Sequence, residues 1–265
     1  MKYLTICMNF RDESEYLKEW LDYHILVGVD HFILYNNFSS DNYLKVLNPY
    51  IAKNKVTLLN TQHKRVKHYT YPNTIKEYKN FSRWIAFIDC DEFLVPEASS
   101  LKVELEKFEK YPGIHICSKF FGNNGHIKKP SGGVIRNFLK RRNDSNSGRI
   151  LVKSIVNPAL TVPVCRSPHW FQYKNNLNPV DTSKNKIYET YRNSKAVMRK
   201  PNYSLISLNH YWCKSYEEYM VKHNKPNDST GDAKRKGHAK KIFDDYNKFA
   251  NKIEDLEILK IWNKR

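Results

Sequence analysis

The sequence predicts an α/β protein whose mostly parallel sheet carries helices on both faces. Its first half alternates strand-like and helix-like segments, which is the pattern of successive βα units. One apolar segment of this half ends directly in three carboxylates, as is typical of a strand that reaches a ligand-binding edge. A length of 265 residues with a hydrophobic fraction of 40% suffices for one buried core. We therefore expect a single domain over residues 1–265, with a smaller C-terminal helical segment.

Short apolar or alternating runs predict the strands, and apolar residues at helical spacing predict the helices. Asp12-x-x-Glu15 is a helix-start signal, and Gly28 ends the helix that follows. The predicted strands are Tyr3–Met8, His31–Tyr35, Lys55–Leu59, Trp84–Ile88, Ile114–Cys117, Ile150–Val156 and Ser204–Leu208. One helix is predicted to start at Asp12, a second to include Leu44 and Leu47, and a third to extend from Leu101 to Tyr111. Two more are predicted to start near Tyr216 and Ala239.

Two segments lack a regular period. Residues 120–149 are rich in Gly, Asn, Lys and Arg, which indicates an irregular insertion. The polar segment Asn224–Gly237 includes Pro226 and Gly231, so a mobile loop is predicted there. After this loop, Trp262 is expected to pack the last helix onto the rest of the domain.

The chain is strongly basic. Its 45 Lys and Arg residues against 27 Asp and Glu give a formal net charge of +18, which favours polyanions, anionic lipid head groups or phosphorylated substrates. The N-terminal apolar run is too short for a secretory signal, and no run reaches the roughly 18 apolar residues of a membrane span. The 5 separated cysteines read as buried, reduced thiols. A cytoplasmic protein is predicted, in contact at most with the inner membrane face.

The most specific motif is the apolar strand that runs into Asp89, Asp91 and Glu92. Carboxylates at a buried strand end are costly unless their charges are paired. No other charge partner is evident in the sequence, and hard divalent cations such as Mn²⁺ or Mg²⁺ accept such oxygens and can hold a diphosphate. A bare Asp-x-Asp more often caps a turn. Its place after the fourth strand, at the expected ligand crevice, favours a metal site on Asp89 and Asp91.

Polar side chains also follow the first two strands. Asn9, Arg11 and Glu13 stand at the start of a helix, where they can hold a base or a phosphate. Asn37 and Asp41 follow the second strand and can receive ribose hydroxyls or a base edge. A helix cap with a surface ion pair and a plain Asn/Ser turn are equally consistent with these letters.

His210 and Lys214 follow the last predicted strand. A lone histidine after an apolar strand is more often a core residue than a ligand. Beside a carboxylate metal site, however, His210 becomes a candidate third ligand and Lys214 a candidate phosphate partner.

Together these motifs resemble glycosyltransferase family 92, a group of family-2-like glycosyltransferases with a GT-A fold. The resemblance covers most of the chain, in order. There are two departures. The family usually carries Lys-Asn-Glu where this chain has Asn9-Phe10-Arg11-Asp12-Glu13, and His63–Lys79 lacks the Gln and Ala pattern expected ahead of the Asp-x-Asp strand. The matching motifs are Asn9-x-Arg11-Asp12-Glu13, Tyr16-Leu17-x-Glu19-Trp20-Leu21-x-Tyr23-His24, Gly28-Val29-Asp30-His31-Phe32, Trp84-x-x-Phe87-x-Asp89-x-Asp91-Glu92-Phe93, Phe121-Gly122-x-x-Gly125-His126, Lys153-x-Ile155-Val156-x-Pro158 and Asn209-His210-Tyr211-x-x-Lys214-Ser215.

The resemblance implies a metal-dependent, inverting hexosyltransferase. Its donor would be a UDP-sugar, commonly UDP-galactose in that family, and its acceptor a glycan. The basic charge and the missing signal suit a lipid-linked or phosphorylated glycan at an anionic membrane surface, as in surface polysaccharide assembly. Residues 1–118 would form the nucleotide-sugar-binding half, and residues 119–265 the acceptor-binding half with the C-terminal helices. Mn²⁺, or Mg²⁺, would bind Asp89 and Asp91.

An inverting transfer needs a general base and cations near the departing diphosphate. Lys214, with Arg149 or Lys153, is expected to neutralise phosphate charge. The base stays open among four carboxylates, which are Glu92, Asp144, Asp228 and Asp232.

Two other classes compete with this interpretation. The charge of +18 and the mixed aromatic and cationic runs His63–Tyr71 and Asn137–Arg142 suggest a nucleic-acid-binding protein. No helix-turn-helix, zinc-finger spacing or aromatic RNA-binding signature accompanies these runs, so nucleic acid is the weaker alternative. A two-metal phosphodiesterase would need more converging histidines and carboxylates than the sequence offers.

Overall fold

The computed structural model describes residues 1–144, 150–165, 167–187, 197–198, 200–224 and 238–264. The strands are β1 (Lys2–Phe10), β2 (His31–Asn37), β3 (Val56–Thr61), β4 (Ser82–Phe87), β5 (Glu92–Pro96), β6 (Gly113–Phe120), β7 (Lys140–Arg141), β8 (Ile150–Val156), β9 (Val180–Asp181), β10 (Val197–Met198), β11 (Ile206–His210) and β12 (Ile253–Glu254). The helices are α1 (Ser14–Leu26), α2 (Tyr43–Ala52), α3 (Val66–Tyr78), α4 (Leu101–Glu106), α5 (Val134–Asn137), α6 (Tyr216–Asn224), α7 (Ala239–Ala250) and α8 (Glu257–Trp262).

One large sheet organises the chain, with strand order β3-β2-β1-β4-β8-β6-β11-β5. The first four strands in this order are parallel. Strand β8 lies antiparallel between β4 and β6, and β11 pairs parallel with β6 and antiparallel with β5. The turn between β4 and β5 therefore lies beside the end of β11. This is the α/β class predicted from the sequence, and it is the architecture that the GT-A resemblance implied.

The two faces of the sheet are covered by different helices because successive side chains of a strand point to opposite faces. On β1, Leu4, Ile6 and Met8 join the core that contains Trp20 of α1. Cys7 points the other way and joins the core around Tyr71 of α3. Helices thus pack on both faces, as predicted.

Helix α3 and strand β5 were not predicted. Helix α3 contains Pro72, and the hydroxyl groups of Thr70 and Thr74 donate to the carbonyl oxygens of Val66 and Thr70. Proline and threonine are poor helix formers. Tertiary packing of Tyr71 against the sheet, and not local propensity, therefore stabilises this helix.

Other predictions are confirmed with shifted bounds. Helix α4 ends at Glu106 instead of Tyr111, and β11 is displaced by two residues from Ser204–Leu208. Trp262 ends α8, and its ring lies 6.4 Å from that of Tyr23. All five cysteines are free and buried, as expected. Within the described ranges, no helix is both long enough and apolar enough to span a bilayer.

Candidate active site

The three acidic residues occupy a tight turn between β4 and β5. The backbone N–H of Glu92 donates to the Asp89 carbonyl oxygen at 3.0 Å, and the Asp89 N–H donates to Glu92 Oε2 at 2.9 Å. From β11, the Tyr211 N–H donates to the Asp91 carbonyl oxygen at 2.8 Å. From α1, Trp20 Nε1 donates to the Glu92 carbonyl oxygen at 2.8 Å. Segments distant in sequence thus fix this turn.

Two buried lysines hold the Asp89 carboxylate. Lys67 Nζ of α3 lies 2.6 Å from Asp89 Oδ1, and Lys153 Nζ of β8 lies 2.6 Å from Asp89 Oδ2. Lys153 Nζ is also 3.0 Å from Glu92 Oε2. Burial raises the pKa of Asp89, but the Lys153 and Lys67 ammonium groups lower it more, so the pKa lies well below its ordinary value. The expectation that these acids lack a charge partner other than a metal is therefore wrong.

Asp91 faces a different set of groups. His210 Nε2 lies 3.6 Å from Asp91 Oδ2, and the Lys222 ammonium of α6 forms an ion pair with the same oxygen. His210 Nδ1 in turn lies 3.6 Å from Glu92 Oε1. Burial raises the pKa of Asp91, yet the charges of Lys222 and His210 bring it well below its ordinary value. The structure thus brings His210 to Asp91, through pairing of β11 with β5.

The donor set at this turn fits a divalent cation in part. Asp91 and His210 offer a carboxylate oxygen and an imidazole nitrogen on one side of the turn. One or two protein ligands are usual for Mg²⁺-type sites, where water and phosphate oxygens complete the shell. Both oxygens of Asp89, in contrast, contact lysines. Among the described residues, no three His, Cys, Asp or Glu side chains form a ready-made metal cluster.

Unpaired polar side chains mark the carboxyl ends of the first three strands. Asn9, Asn37 and Thr61 are each 7% exposed or less. Both amide atoms of Asn9, Asn37 Oδ1 and Thr61 Oγ1 nevertheless have no hydrogen-bond partner among the residues that the structure describes. Two residues before them, Cys7, Tyr35 and Leu59 all pack in the core on the α3 face.

Because side chains alternate along a strand, these three polar groups share that face. Buried polar atoms without a partner each cost about 1–3 kcal/mol, so these three side chains are candidates for hydrogen bonds to water or to a ligand. We refer to Asn9, Asn37 and Thr61 together as the neutral polar pocket.

Hydrogen bonds to two carboxylates join the loops after β1 and β2. Asp12 Oδ1 accepts the Ser40 N–H at 2.7 Å, and Asp41 Oδ2 accepts the Ser14 N–H at 2.7 Å. Asp41 therefore caps α1, while its other oxygen is buried without a partner. The Arg11 guanidinium lies over the Phe38 ring at 5.7 Å and 3.9 Å from Asp12.

Lys214 is related to the acidic turn through a cavity that it shares with Lys222. It has a left-handed backbone conformation, with φ of 43°, and its Nζ lies over the Tyr16 ring at 4.2 Å. It lines a cavity of about 310 Å³, as does Glu13. Lys222 lines the same cavity and also forms an ion pair with Asp91. The structure thus brings Lys214 near the turn through Lys222 and not by direct contact with Asp91.

A capping box fixes the start of α6. The Ser215 N–H donates to Glu218 Oε2 at 3.1 Å, and the Glu218 N–H donates to Ser215 Oγ at 3.2 Å. Glu218 Oε1 accepts the Tyr16 hydroxyl at 2.8 Å. These bonds set the direction of α6 and hence the position of Lys222 in its last turn.

The described candidates for the general base are engaged elsewhere. Glu92 is 1% exposed and both its oxygens contact groups of the turn. Asp144 accepts from Arg142 Nε at 2.7 Å and from the Tyr203 hydroxyl at 2.5 Å, and it is 4% exposed. Both carboxylates therefore serve the fold in this structure. Asp228, Asp232, Arg149 and the predicted loop after Asn224 lie outside the described residues.

The sequence patterns did not predict three residues of the site: Lys67, Lys222 and Thr61. A usable signal existed for Lys67, because it shares the buried face of α3 with Tyr71 and Thr74 at helical spacing. A lysine on such a face requires a carboxylate partner. Lys222 and Thr61 carry no comparable signal.

Comparison with known proteins agrees with this geometry. The family model of glycosyltransferase family 92 matches residues 2–263. A family 92 protein of Oryza sativa subsp. japonica is 27% identical over 193 residues, which is 67% of this chain and 31% of the relative. One of Arabidopsis thaliana is 25% identical over 194 residues, 64% of this chain and 32% of the relative.

The chain thus aligns with about a third of these relatives' length. Among solved structures, TarS 1-349 of S. aureus in complex with UDP matches with a TM-score of 0.40 and 12% identity. That match covers 60% of this chain and 47% of the other. The family match extends over nearly the whole sequence, so this chain belongs to glycosyltransferase family 92.

Proposed function

We propose that this chain is a metal-dependent glycosyltransferase that moves a sugar from a UDP-sugar to a glycan or lipid-linked acceptor. Inversion at the anomeric carbon, galactose as the sugar, and Mn²⁺ as the metal are parts of this proposal. So is a peripheral contact with an anionic membrane surface, which the net charge of +18 would favour.

One observation carries the proposal. The neutral polar pocket and the Asp91–His210 pair lie at the carboxyl edge of the same sheet, on strands β1 to β3 and at the junction of β4, β5 and β11. A nucleoside needs neutral hydrogen-bond partners, and a diphosphate needs cations. In this proposal the neutral side chains would serve the nucleoside, and the Asp91–His210 pair would hold the cation that the diphosphate needs.

Within this proposal, Asn9, Asn37 and Thr61 would bind the base and ribose, and their unpaired atoms would gain partners. Arg11 and the free oxygen of Asp41 border the same loops. Asp91 and His210 would hold the metal, which supplies positive charge to the diphosphate as the sugar leaves.

Lys214 would contribute further positive charge on the diphosphate. The cavity that Lys214 and Lys222 line also carries five carboxylates, which are Asp12, Glu13, Glu15, Glu217 and Glu218. The buried ion pairs of Asp89 with Lys67 and Lys153 would keep the turn in place. The acceptor hydroxyl needs a base that the described carboxylates Glu92 and Asp144 are not placed to supply.

Calorimetry with UDP, with and without Mn²⁺, tests this function. Wild type is expected to bind UDP only with the metal present. Asp91→Asn and His210→Ala are each expected to weaken Mn²⁺-dependent UDP binding by more than about 100-fold and tenfold, respectively, which corresponds to about 2.8 and 1.4 kcal/mol. As a matched control, Asp244→Asn on α7 removes an exposed carboxylate paired with Lys240 and should leave binding unchanged.

Equal UDP affinity in the presence of EDTA would contradict the metal. Normal Mn²⁺-dependent binding by His210→Ala with a lowered melting temperature would make this histidine a structural residue.

A further inference from the structure

Helix α7 buries one side against the protein and exposes the other. Phe243 and Ala250 are buried, and the Phe243 ring centroid lies 5.3 Å from that of Tyr219 on α6. On the exposed side, Ile242 is 44% exposed and Phe249 is 63% exposed. Seven residues make nearly two turns of an α-helix, so these two large apolar side chains lie on the same face. They form an apolar strip, in contrast to the single apolar side chains that are scattered over most protein surfaces.

Lysines accompany this apolar strip. Lys241 and Lys248 each precede one of its two residues, and their side chains are 72% and 66% exposed. Both lysines pair with Asp245. Lys252, just past the end of α7, is also exposed. Three lysines against one carboxylate leave an excess of two positive charges along the strip. We refer to Lys241, Ile242, Asp245, Lys248, Phe249 and Lys252 together as the α7 face.

The position of α7 relates this face to the candidate active site. The ring of Trp212, two residues after His210, lies 4.8 Å from the ring of Tyr246 on α7. The Tyr246 hydroxyl donates to the Phe121 carbonyl oxygen at 3.0 Å, and the Phe121 N–H donates to the His210 carbonyl oxygen at 3.0 Å. Tyr246 follows Ile242 by four residues, so the two side chains are neighbours on the helix surface. The α7 face therefore adjoins the part of the molecule that carries the acidic turn.

We propose that the α7 face is a docking surface for an anionic lipid bilayer. Its apolar side chains enter the boundary between head groups and acyl chains, and its lysines contact the anionic head groups. The excess positive charge is complementary to such a bilayer, whereas a second copy of the same face would repel it. This inference rests on the proposed function, in which the acceptor is lipid-linked. It adds the surface by which the chain reaches that acceptor.

Co-sedimentation with lipid vesicles tests this docking surface. Wild type is expected to bind vesicles that contain about 30 mol% phosphatidylglycerol at least tenfold more tightly than vesicles of neutral phosphatidylcholine. Raising NaCl from about 0.1 M to about 1 M should release the protein, because salt screens exposed charges.

Variants of the α7 face assign the binding to its two kinds of group. Phe249→Ser is expected to weaken binding to anionic vesicles about tenfold, because the apolar side chain no longer enters the bilayer. Lys241→Gln combined with Lys248→Gln is expected to weaken it about 25-fold, since each lysine near an anionic surface contributes about fivefold.

Lys240→Gln is the matched control for the lysines. Lys240 belongs to the same helix and pairs with Asp244. It stands two residues before Ile242, which places it about 200° away around the helix axis, nearly opposite the apolar strip. The variant changes the net charge of the chain as much as either single lysine change does. Its binding should fall less than about twofold, whereas a nonspecific effect of net charge would weaken it about fivefold.

Val103→Ser is the matched control for the apolar side chain. Val103 is 41% exposed on α4. The neighbouring Lys102 pairs with Asp30, which accepts the N–H of Tyr3 near the start of β1. Helix α4 therefore lies at the amino edge of the sheet, opposite the acidic turn, and vesicle binding by this variant should equal that of wild type.

A fluorophore reports whether the strip enters the bilayer. The five native cysteines are buried, so an environment-sensitive dye can be attached to Phe249→Cys through the new exposed thiol. Its emission should shift to shorter wavelength when anionic vesicles are added. The same dye on Val103→Cys should show no shift.

The outcomes separate this inference from the proposed function. Vesicle binding that neither Phe249→Ser nor the double lysine variant weakens would overturn the docking surface and leave the proposed sugar transfer standing. Failure of wild type to bind anionic vesicles would overturn the docking surface together with the proposed membrane contact. A dimer that Phe249→Ser dissociates in analytical ultracentrifugation would show that a second copy covers the face, and would also overturn the inference.

Mn²⁺-dependent UDP binding, measured by calorimetry on the same preparations, should be equal in wild type and in every variant of the α7 face. Its absence in wild type would overturn the proposed function, whatever the vesicles show.

Discussion

The two polar regions at the carboxyl edge of the sheet differ in how completely their groups are paired. In the neutral polar pocket, Asn9, Asn37 and Thr61 keep atoms without partners. At the acidic turn, Asp89 and Asp91 are held by ammonium groups. A neutral amide can be left unsatisfied for about 1–3 kcal/mol, whereas an unpaired buried carboxylate costs several. The fold therefore leaves polar atoms of the first region without partners among the described residues and provides the second with internal counter-ions.

The largest effect is expected where a fixed counter-ion is removed. Lys153→Met leaves Asp89 and Glu92 with less compensation in a buried place, and breaking such a pair costs about 3–5 kcal/mol of unfolding free energy. Urea unfolding measures this loss. Lys240→Met removes one lysine of an exposed pair on α7 and should leave the urea midpoint unchanged. A similar small change for Lys153→Met would show that the turn is hydrated and not dependent on internal pairing.

The response to acid separates charged pairs from buried neutral groups. Burial lowers the pKa of His24 and His169 to about 3 and that of His115 to about 4, against an ordinary value of 6.5. Between these values the unfolded chain binds protons that the folded chain does not. Stability should therefore fall as pH drops from 6.5 towards 4, by about 1.4 kcal/mol per pH unit for each histidine.

Asp89 and Asp91 contribute nothing in that window, because their folded pKa values lie below the ordinary value and their stabilisation is lost only at lower pH. Urea unfolding at a series of pH values measures the slope. His115→Asn should lower the slope by about 1.4 kcal/mol per pH unit, and Asp91→Asn should leave it unchanged. A slope that Asp91→Asn flattens would place the acid sensitivity at the turn.

The smallest effect tests the neutral polar pocket. Asn9→Leu keeps the volume and removes two unpaired polar atoms, so the unfolding free energy should stay the same or rise. UDP affinity, measured by calorimetry with Mn²⁺, should fall about tenfold, or 1.4 kcal/mol.

Asn36 is the matched comparison for this variant. Its amide donates to the Tyr43 hydroxyl and to Asn60 Oδ1, each at 2.9 Å. Asn36→Leu should therefore lower stability. A loss of stability in Asn9→Leu with unchanged UDP affinity would mean that this pocket is an ordinary part of the core.

The sequence predicted the elements whose pattern is local. Strand β1, helix α1 and the acidic turn follow from apolar spacing and a helix-start signal, so their positions agree with the structure. Helix α3 was missed because Pro72 and its threonines oppose helix formation and packing decides the outcome. The ion pairs of Lys67 and Lys222 were missed for a related reason. Each joins residues that only the folded sheet brings together. The helical spacing of Lys67 indicates that it needs a carboxylate partner, but it does not identify Asp89 as that partner.

The strand order of the large sheet has a consequence for synthesis on the ribosome. Strand β8 separates β4 from β6, and β11 separates β6 from β5. Residues 1–118 therefore cannot complete their sheet as the nascent chain emerges, since β4, β5 and β6 wait for partners from later in the sequence. Only when Ile206–His210 has left the exit tunnel can the acidic turn close. Until then the nascent chain exposes unpaired strand edges, and such edges make partly folded chains prone to aggregation.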